Sequence, residues 1–134
     1  MTASTVDPKT IVERLFALDK DIRWAGVVDD KGIVLQNVQR PGVETITDVQ
    51  TDELTLHIFP TVMGLLWGRL IGEVGKLNCV VVSYSRVYLM AFYVDEYLVV
   101  ITFEPKAMTR IIRRLESAFG ALLPGTPSRD ASNR

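Results

Sequence analysis

The sequence has only one cysteine and one histidine among its 134 residues. Cys79 has no partner for an internal disulfide and begins an apolar run, which favours a buried structural thiol over a redox or nucleophilic one. His57 lies among apolar residues, so we expect it to pack at a helix surface. No nucleophile with its base, and no set of metal ligands, can be assembled from such a composition. The sequence therefore predicts a protein that is not an enzyme and holds no cofactor or metal.

An excess of charge of either sign is also lacking, since 15 basic residues stand against 16 acidic ones. Nucleic-acid binding depends on an excess of positive charge and is not expected. Residues 54 to 72 and 77 to 103 are strongly apolar, but polar groups interrupt both stretches, which favours buried elements over membrane insertion. The polar residues 1 to 7 do not form a signal peptide, so we expect a cytoplasmic protein.

The first half of the chain alternates between helical and strand periodicity. Asp7 and Pro8 are an N-cap and first position for a helix that ends near residues 19 to 21. Strands over residues 22 to 28 and 32 to 38 flank an acidic turn, whose two aspartates favour turn chemistry over a metal pair. After a loop over residues 39 to 47, apolar residues recur at helical spacing to about Gly75. The pattern predicts one long helix, bent or split at Pro60.

The second half of the chain has three runs typical of strands, followed by one helix. Residues 77 to 83, 87 to 94 and 97 to 103 are joined by short turns, which predicts an antiparallel meander. Pro105 opens the last helix, whose basic stripe we expect to be solvated; the stripe consists of Lys106, Arg110 and Arg113. A single domain over residues 1–123 and a disordered tail over residues 124–134 follow from this order.

Three glycines recur every fourth residue within the long helix, namely Gly64, Gly68 and Gly72. Glycine weakens a helix interior, so a close packing contact is the natural compensation. The contact could be with the underlying sheet or with the same helix of a second subunit. For the second alternative we predict a dimer interface formed by Gly64, Trp67, Gly68, Ile71 and Gly72.

The order helix, two strands, long helix, three strands, helix resembles the roadblock fold over roughly residues 8 to 120. That fold is related to profilin-like and longin-type sandwiches, in which a five-stranded antiparallel sheet carries helices on its faces. The segment from Leu18 to Val28 followed by Lys31-Gly32, and later Gly75 to Asn78, is similar to a group of small uncharacterised archaeal roadblock-like proteins.

The roadblock resemblance implies a function as well as a fold. Roadblock domains form dimers by extending the sheet and packing their central helices together, and they are platforms for small GTPases or other signalling components. The resemblance thus implies a noncatalytic homodimeric interaction module, a scaffold or regulator of a small GTPase or signalling assembly. The glycine stripe lies on the helix that the family places at the dimer interface, whereas Pro60 departs from a simple long helix.

A sensory domain that binds a small molecule between sheet and helices is the alternative, because profilin-like and sensor folds share this layout. Four tyrosines of the predicted strands could supply polar groups to such a ligand: Tyr84, Tyr88, Tyr93 and Tyr97. A buried cavity with converging polar groups would favour the sensor. A filled core with an exposed apolar patch would favour the interaction module.

Overall fold

The helices and strands follow one another in the predicted order. A computed structural model describes residues 7–68 and 70–120, except for the side chain of Trp67. The predicted tail lies outside the described residues. The helices are α1 (Pro8–Leu18), α2 (Val49–Gly68), α3 (Ile71–Val74) and α4 (Met108–Phe119). The strands are β1 (Ile22–Val28), β2 (Val34–Gln39), β3 (Cys79–Ser83), β4 (Tyr88–Val94) and β5 (Tyr97–Phe103).

The five strands form one antiparallel sheet in the order β2-β1-β5-β4-β3. Pairing of β1 with β5 joins the first hairpin to the second set of strands. The segment that contains α2 and α3 therefore connects one edge strand, β2, to the other edge strand, β3. This topology confirms the predicted α+β class and the five-stranded antiparallel sheet.

Helices cover both faces of the sheet and divide the core into two layers. Helices α1 and α4 pack on one face, together with inward side chains of β1, β4 and β5. On the opposite face α2 packs through three buried residues, Leu56, Phe59 and Met63. We refer to the second face as the α2 face of the sheet.

An irregularity at the start of β1 places Ile22 and Trp24 on opposite faces of the sheet. Ile22 packs in the α1/α4 layer, whereas Trp24 packs on the α2 face. Residues two apart in a regular strand point to the same side. The register between β1 and β5 shifts between these two residues, which reverses the direction of Trp24.

Leu56 of helix α2 packs directly against Gly26 of β1. A methyl group at this position would lie 2.8 Å from Leu56 Cδ1 and 3.0 Å from Leu56 Cγ. Leu56 is completely buried, so the space that the missing side chain leaves is filled by this leucine. Glycine inside a strand is typical of positions where another part of the protein approaches the backbone closely. Gly26 is such a position, because it leaves room for Leu56 of α2.

A buried carboxylate joins α4 to the end of α1. Asp19 follows α1 and is only 2% exposed. Its Oδ2 accepts hydrogen bonds from Arg110 Nε at 2.7 Å and Arg114 Nη1 at 2.9 Å, and its Oδ1 accepts one from the Asp21 backbone N–H at 2.9 Å. The hydrogen bond from Arg110, more than any other contact, holds the pKa of Asp19 below its ordinary value of 3.8. Arg110 itself is exposed, as the predicted solvated stripe requires, but its guanidinium group is also held by ion pairs with Asp19 and Asp21.

Short sequence motifs correctly predicted several ends of the helices and strands. Asp7 caps α1 by accepting a hydrogen bond from the Thr10 backbone N–H at 2.9 Å, as predicted. Asp29 accepts hydrogen bonds from the backbone N–H groups of Lys31 and Ile33, which confirms turn chemistry at this aspartate. The turn extends to Ile33, so β2 begins two residues later than predicted. Helix α2 continues through Pro60.

Replacement of Asp19 by Asn is expected to lower the free energy of unfolding by about 1–3 kcal/mol at neutral pH, since the guanidinium groups lose a charged acceptor. Because the folded-state pKa is depressed, the carboxylate stabilises the protein above pH 3.8 and loses this effect as the pH falls through the folded-state pKa. Urea titrations at neutral and strongly acidic pH measure the difference. Asp30→Asn, in the exposed turn, is the control; equal losses in both variants would contradict this role.

Gly26→Ala is expected to lower the free energy of unfolding by about 1–3 kcal/mol, because the new methyl group overlaps Leu56 in a filled core. In a Leu56→Ala background the same change is expected to cost much less, since the overlapping side chain is gone. Denaturant titrations of the two single variants and the double variant give the coupling energy. Additive losses would show that the two residues do not compete for this space.

Candidate interaction surface

Helix α2 exposes a row of apolar side chains on the side that faces away from the sheet. Leu54 is 59% exposed, Ile58 is 49% exposed and Leu65 is 77% exposed. Thr61 and Gly68 are exposed in the same row. We call these five residues the outer face of α2. At 3.6 residues per turn they lie within about 80° of one another around the helix axis.

The buried side of α2 lies opposite the outer face. Leu56, Phe59 and Met63 are centred about 170° from the outer face around the helix axis. Helix α2 is thus apolar on two opposite sides, and the sheet covers only one of them. A helix that is apolar all round is characteristic of a fully buried position.

Several apolar residues of the stretch predicted to be buried, residues 54 to 72, are exposed instead. Besides Leu54, Ile58 and Leu65, this holds for Leu70, which is 50% exposed; Val74 in α3, just beyond that stretch, is 77% exposed. The residues that do contact the sheet occupy the opposite side of the same helix. A period of 3.6 residues identified the helix correctly but could not show which of its apolar sides meets the sheet.

The predicted glycine stripe does not lie against the sheet. A methyl group at Gly64, Gly68 or Gly72 would meet no described atom outside the helix itself within 4 Å. The alternative in which the sheet approaches these glycines is therefore wrong. Gly68 lies on the outer face of α2, Gly64 lies beside it and Gly72 lies on α3. The side chain of Trp67, another predicted interface residue, lies outside the described residues, and Ile71 is half-buried.

The outer face of α2 has the spacing of a helix-pairing seam. Its members follow one another at intervals of four, three, four and three residues, which is the alternation of a and d positions in a heptad. A seam of this kind packs against another helix by inserting side chains between those of its partner. The geometry fits an elongated apolar partner such as a second helix.

Helix α2 does not cover the whole of the α2 face of the sheet. Helix α2 packs mainly over β1 and β2. Val80 and Val82 of β3 point to this face of the sheet and are only partly buried. Strand β3 is also an edge strand, so one row of its backbone groups has no partner strand within the described sheet.

His57 and Cys79 lie on opposite faces of the sheet, since His57 belongs to α2 and Cys79 packs in the α1/α4 layer. The imidazole of His57 is 52% exposed and its Nε2 lies 3.8 Å from Glu53 Oε1, one turn earlier. His57 therefore lies at the helix surface, though it is more exposed than a packed histidine. Burial raises the pKa of the Cys79 thiol, which favours the unreactive thiol form. Within the described ranges, no three histidine, cysteine or acidic side chains are arranged to bind a metal ion.

Two cavities test the alternative that the protein is a sensory domain with a site for a small molecule. One, of about 50 Å³, lies beneath the first turn of α2. The other, of about 320 Å³, is an open groove along α4 beside Leu18. Sites for small organic molecules are usually enclosed clefts of roughly 300–1,000 Å³. The first cavity is too small and the second is not enclosed, and none of the four tyrosines lines either of them.

The architecture defines an α+β sandwich in which a five-stranded antiparallel sheet carries helices on both faces. No protein-family model and no curated protein matches the sequence. Gliding protein MglB from Thermus thermophilus is similar in structure, with a TM-score of 0.62 and 20% identity over 84% of this chain and 82% of that chain. Myxococcus xanthus MglB has a TM-score of 0.58 and 19% identity, over 84% and 91% of the two chains.

A further solved structure, described as MglB with tetrameric arrangement, has a TM-score of 0.60 and 18% identity over 90% of this chain and 92% of that chain. At these identities the similarity concerns the fold. The chain has a roadblock-like fold, as the order of its helices and strands predicted. The narrower resemblance to archaeal proteins stays a prediction. In the part of the chain that the structure describes, no helix combines the length and hydropathy needed to span a membrane.

Gly68→Leu is expected to leave the folded chain intact, because a side chain at this position meets open space and leucine favours a helix more than glycine does. Thermal unfolding monitored by circular dichroism measures the stability of the folded chain. A loss of helical signal would show that Gly68 is needed within a single chain, and the open geometry described above would then be wrong.

Proposed function

We propose that the protein is a noncatalytic interaction module that forms a homodimer through the outer face of α2. In this dimer it is a scaffold or regulator for a small GTPase or another signalling protein. The single observation that carries the proposal is the exposed row of Leu54, Ile58 and Leu65 opposite the buried side of the same helix.

The cost of leaving this row in water supports a helix as its partner. Burial of a leucine or isoleucine side chain is worth about 1.5–3 kcal/mol relative to full exposure. Three such residues in one row, together with the glycine at its end, give a surface that another helix can approach closely. Contiguous apolar surface of this kind marks an interaction site in a folded protein.

A second copy of the chain is the partner that the shape of the surface favours. A twofold axis across the outer face would pair each seam with its own copy, as a heptad spacing permits. Strand β3 is an edge strand, which leaves one row of its backbone groups open to pairing with a strand of a second copy. One structure of the same fold is described as tetrameric, which supports association between roadblock-like chains.

The proposed GTPase or signalling partner rests on the roadblock-like fold. Domains of this fold present a dimer as a platform, and the partner protein supplies the chemistry. The proposal places the protein in the cytoplasm.

Leu65→Asp tests the proposed dimer. Because each substitution occurs twice in a symmetric dimer, the lost burial amounts to about 3–6 kcal/mol, and the dissociation constant is expected to rise more than 100-fold. Light scattering over a dilution series measures the mass. The unaltered chain is expected near twice 15.0 kDa and the variant near 15.0 kDa.

Ile33→Asp is the matched control for this experiment. Ile33 is 55% exposed and apolar like Leu65, but it lies in the turn before β2. The same change of side chain there is expected to leave the mass of the dimer unaltered. A monomer in the unaltered chain, or an equal loss of mass in both variants, would rule out association through the outer face of α2.

A further inference from the structure

The open groove along α4 lies on the face of the sheet opposite to α2. It measures about 320 Å³ and is lined by Leu18, Arg113, Arg114, Ser117 and Ala118. Residues three or four apart share one face of a helix, which brings the four residues of α4 to one groove. Leu18 and Ala118 are partly buried, whereas the two arginines and the serine are exposed. The groove therefore combines a recessed apolar part with an exposed basic part.

Arg114 is held in place by hydrogen bonds from only one of its nitrogens. Its Nη1 donates to the Leu18 carbonyl oxygen at 3.0 Å and to Asp19 Oδ2 at 2.9 Å. Its Nε and Nη2 have no acceptor among the described residues. A guanidinium group carries N–H donors on all three nitrogens. Arg114 is thus fixed against the end of α1 and keeps donors for a further acceptor.

Arg113 has no acidic partner among the residues that the structure describes. Its side chain forms neither a hydrogen bond nor an ion pair with any of them. The carboxylates of Asp19 and Asp21 are already engaged in ion pairs with the other arginines of α4. Residues 105 to 120 contain four basic side chains and one acidic one, although the whole chain has a net charge of -1. The basic excess on α4 is therefore available to an acid from outside the chain.

An acidic segment of another protein is the occupant that this chemistry favours. Guanidinium groups bind carboxylates through paired, charge-assisted hydrogen bonds. The partly buried Leu18 and Ala118 offer a contact to an apolar side chain of the same segment. A small organic molecule would need a more enclosed site. A lipid bilayer would need apolar side chains that protrude from the surface, whereas these two are recessed.

We propose that the groove along α4 binds an acidic segment of a partner protein. A carboxylate of that segment pairs with Arg113 and Arg114, and an apolar side chain packs against Leu18 and Ala118. The hydroxyl group of Ser117, one turn beyond the two arginines, is a further donor for the carboxylate. The site does not use the outer face of α2, so this inference does not depend on the proposed dimer.

Selection from a random-peptide library on the full-length chain tests the chemistry of the occupant. We expect the selected peptides to be rich in aspartate and glutamate and to contain an aliphatic residue. Fluorescence anisotropy then gives their Kd for the unaltered chain and for Arg113→Gln. Because Arg113 forms no hydrogen bond or ion pair with described residues, the variant is expected to fold. Loss of a charge-assisted hydrogen bond is expected to raise the Kd about 10-fold or more.

Arg86→Gln is the matched control, since Arg86 is exposed in the turn before β4 and does not line the groove. Both variants lose one positive charge, so an effect of overall charge would appear equally in each. The Kd of the control is expected to stay at its unaltered value. Equal rises in the two variants would contradict the site. A library that yields no acidic peptide dependent on Arg113 would contradict it as well.

Amide NMR on the isotope-labelled full-length chain shows where a selected peptide lies. We expect shifts at the residues that line the groove, Leu18, Arg113, Arg114, Ser117 and Ala118. Shifts confined to α2 would overturn the inference. So would equal shifts from inorganic phosphate alone or from vesicles of anionic lipid, which would indicate a general anion site. NOEs to Leu18 from residues 121–134 or from a second copy in the free protein would also overturn it, because the groove would then be filled.

Discussion

The contact of Leu56 with Gly26 fixes how α2 lies on the sheet, and the other features of this side of the molecule depend on it. Because Gly26 has no side chain, the buried leucine can sit directly over β1. That contact sets the rotation of the helix about its own axis. The same rotation turns Leu54, Ile58 and Leu65 outward.

The two faces of the sheet differ in how completely a single chain covers them. On one face, α1 and α4 bury their apolar sides, and the Asp19 carboxylate holds Arg110 and Arg114 against the end of α1. On the other face, α2 covers β1 and β2 and presents a second apolar side to solvent. The first layer is thus closed within a single chain, whereas the second layer leaves an apolar side of α2 that is suited to association.

Sequence patterns correctly predicted the features that depend only on residues close together in the chain. Asp7 with the following proline, and the turn at Asp29, are local signals whose chemistry does not depend on the rest of the fold. The rotation of α2 about its axis was not predictable in this way. Because the helix is apolar on two opposite sides, its sequence does not show which side faces the sheet. The stripe containing Gly68 predicted a packing surface on α2, which stays a prediction, and it did not reveal the exposed leucines. The pairing of Asp19 with Arg110 spans 91 residues and leaves no periodic trace in the sequence.

The central claim is that the outer face of α2 meets its own copy in solution. Isotope-filtered NMR on a mixture of labelled and unlabelled chains tests this contact most directly, because it records only proximity between different molecules. The account predicts intermolecular NOEs among the methyl groups of Leu54, Ile58 and Leu65. Intermolecular NOEs confined to α1 and α4, or none at a concentration where the chain has the mass of a dimer, would contradict it.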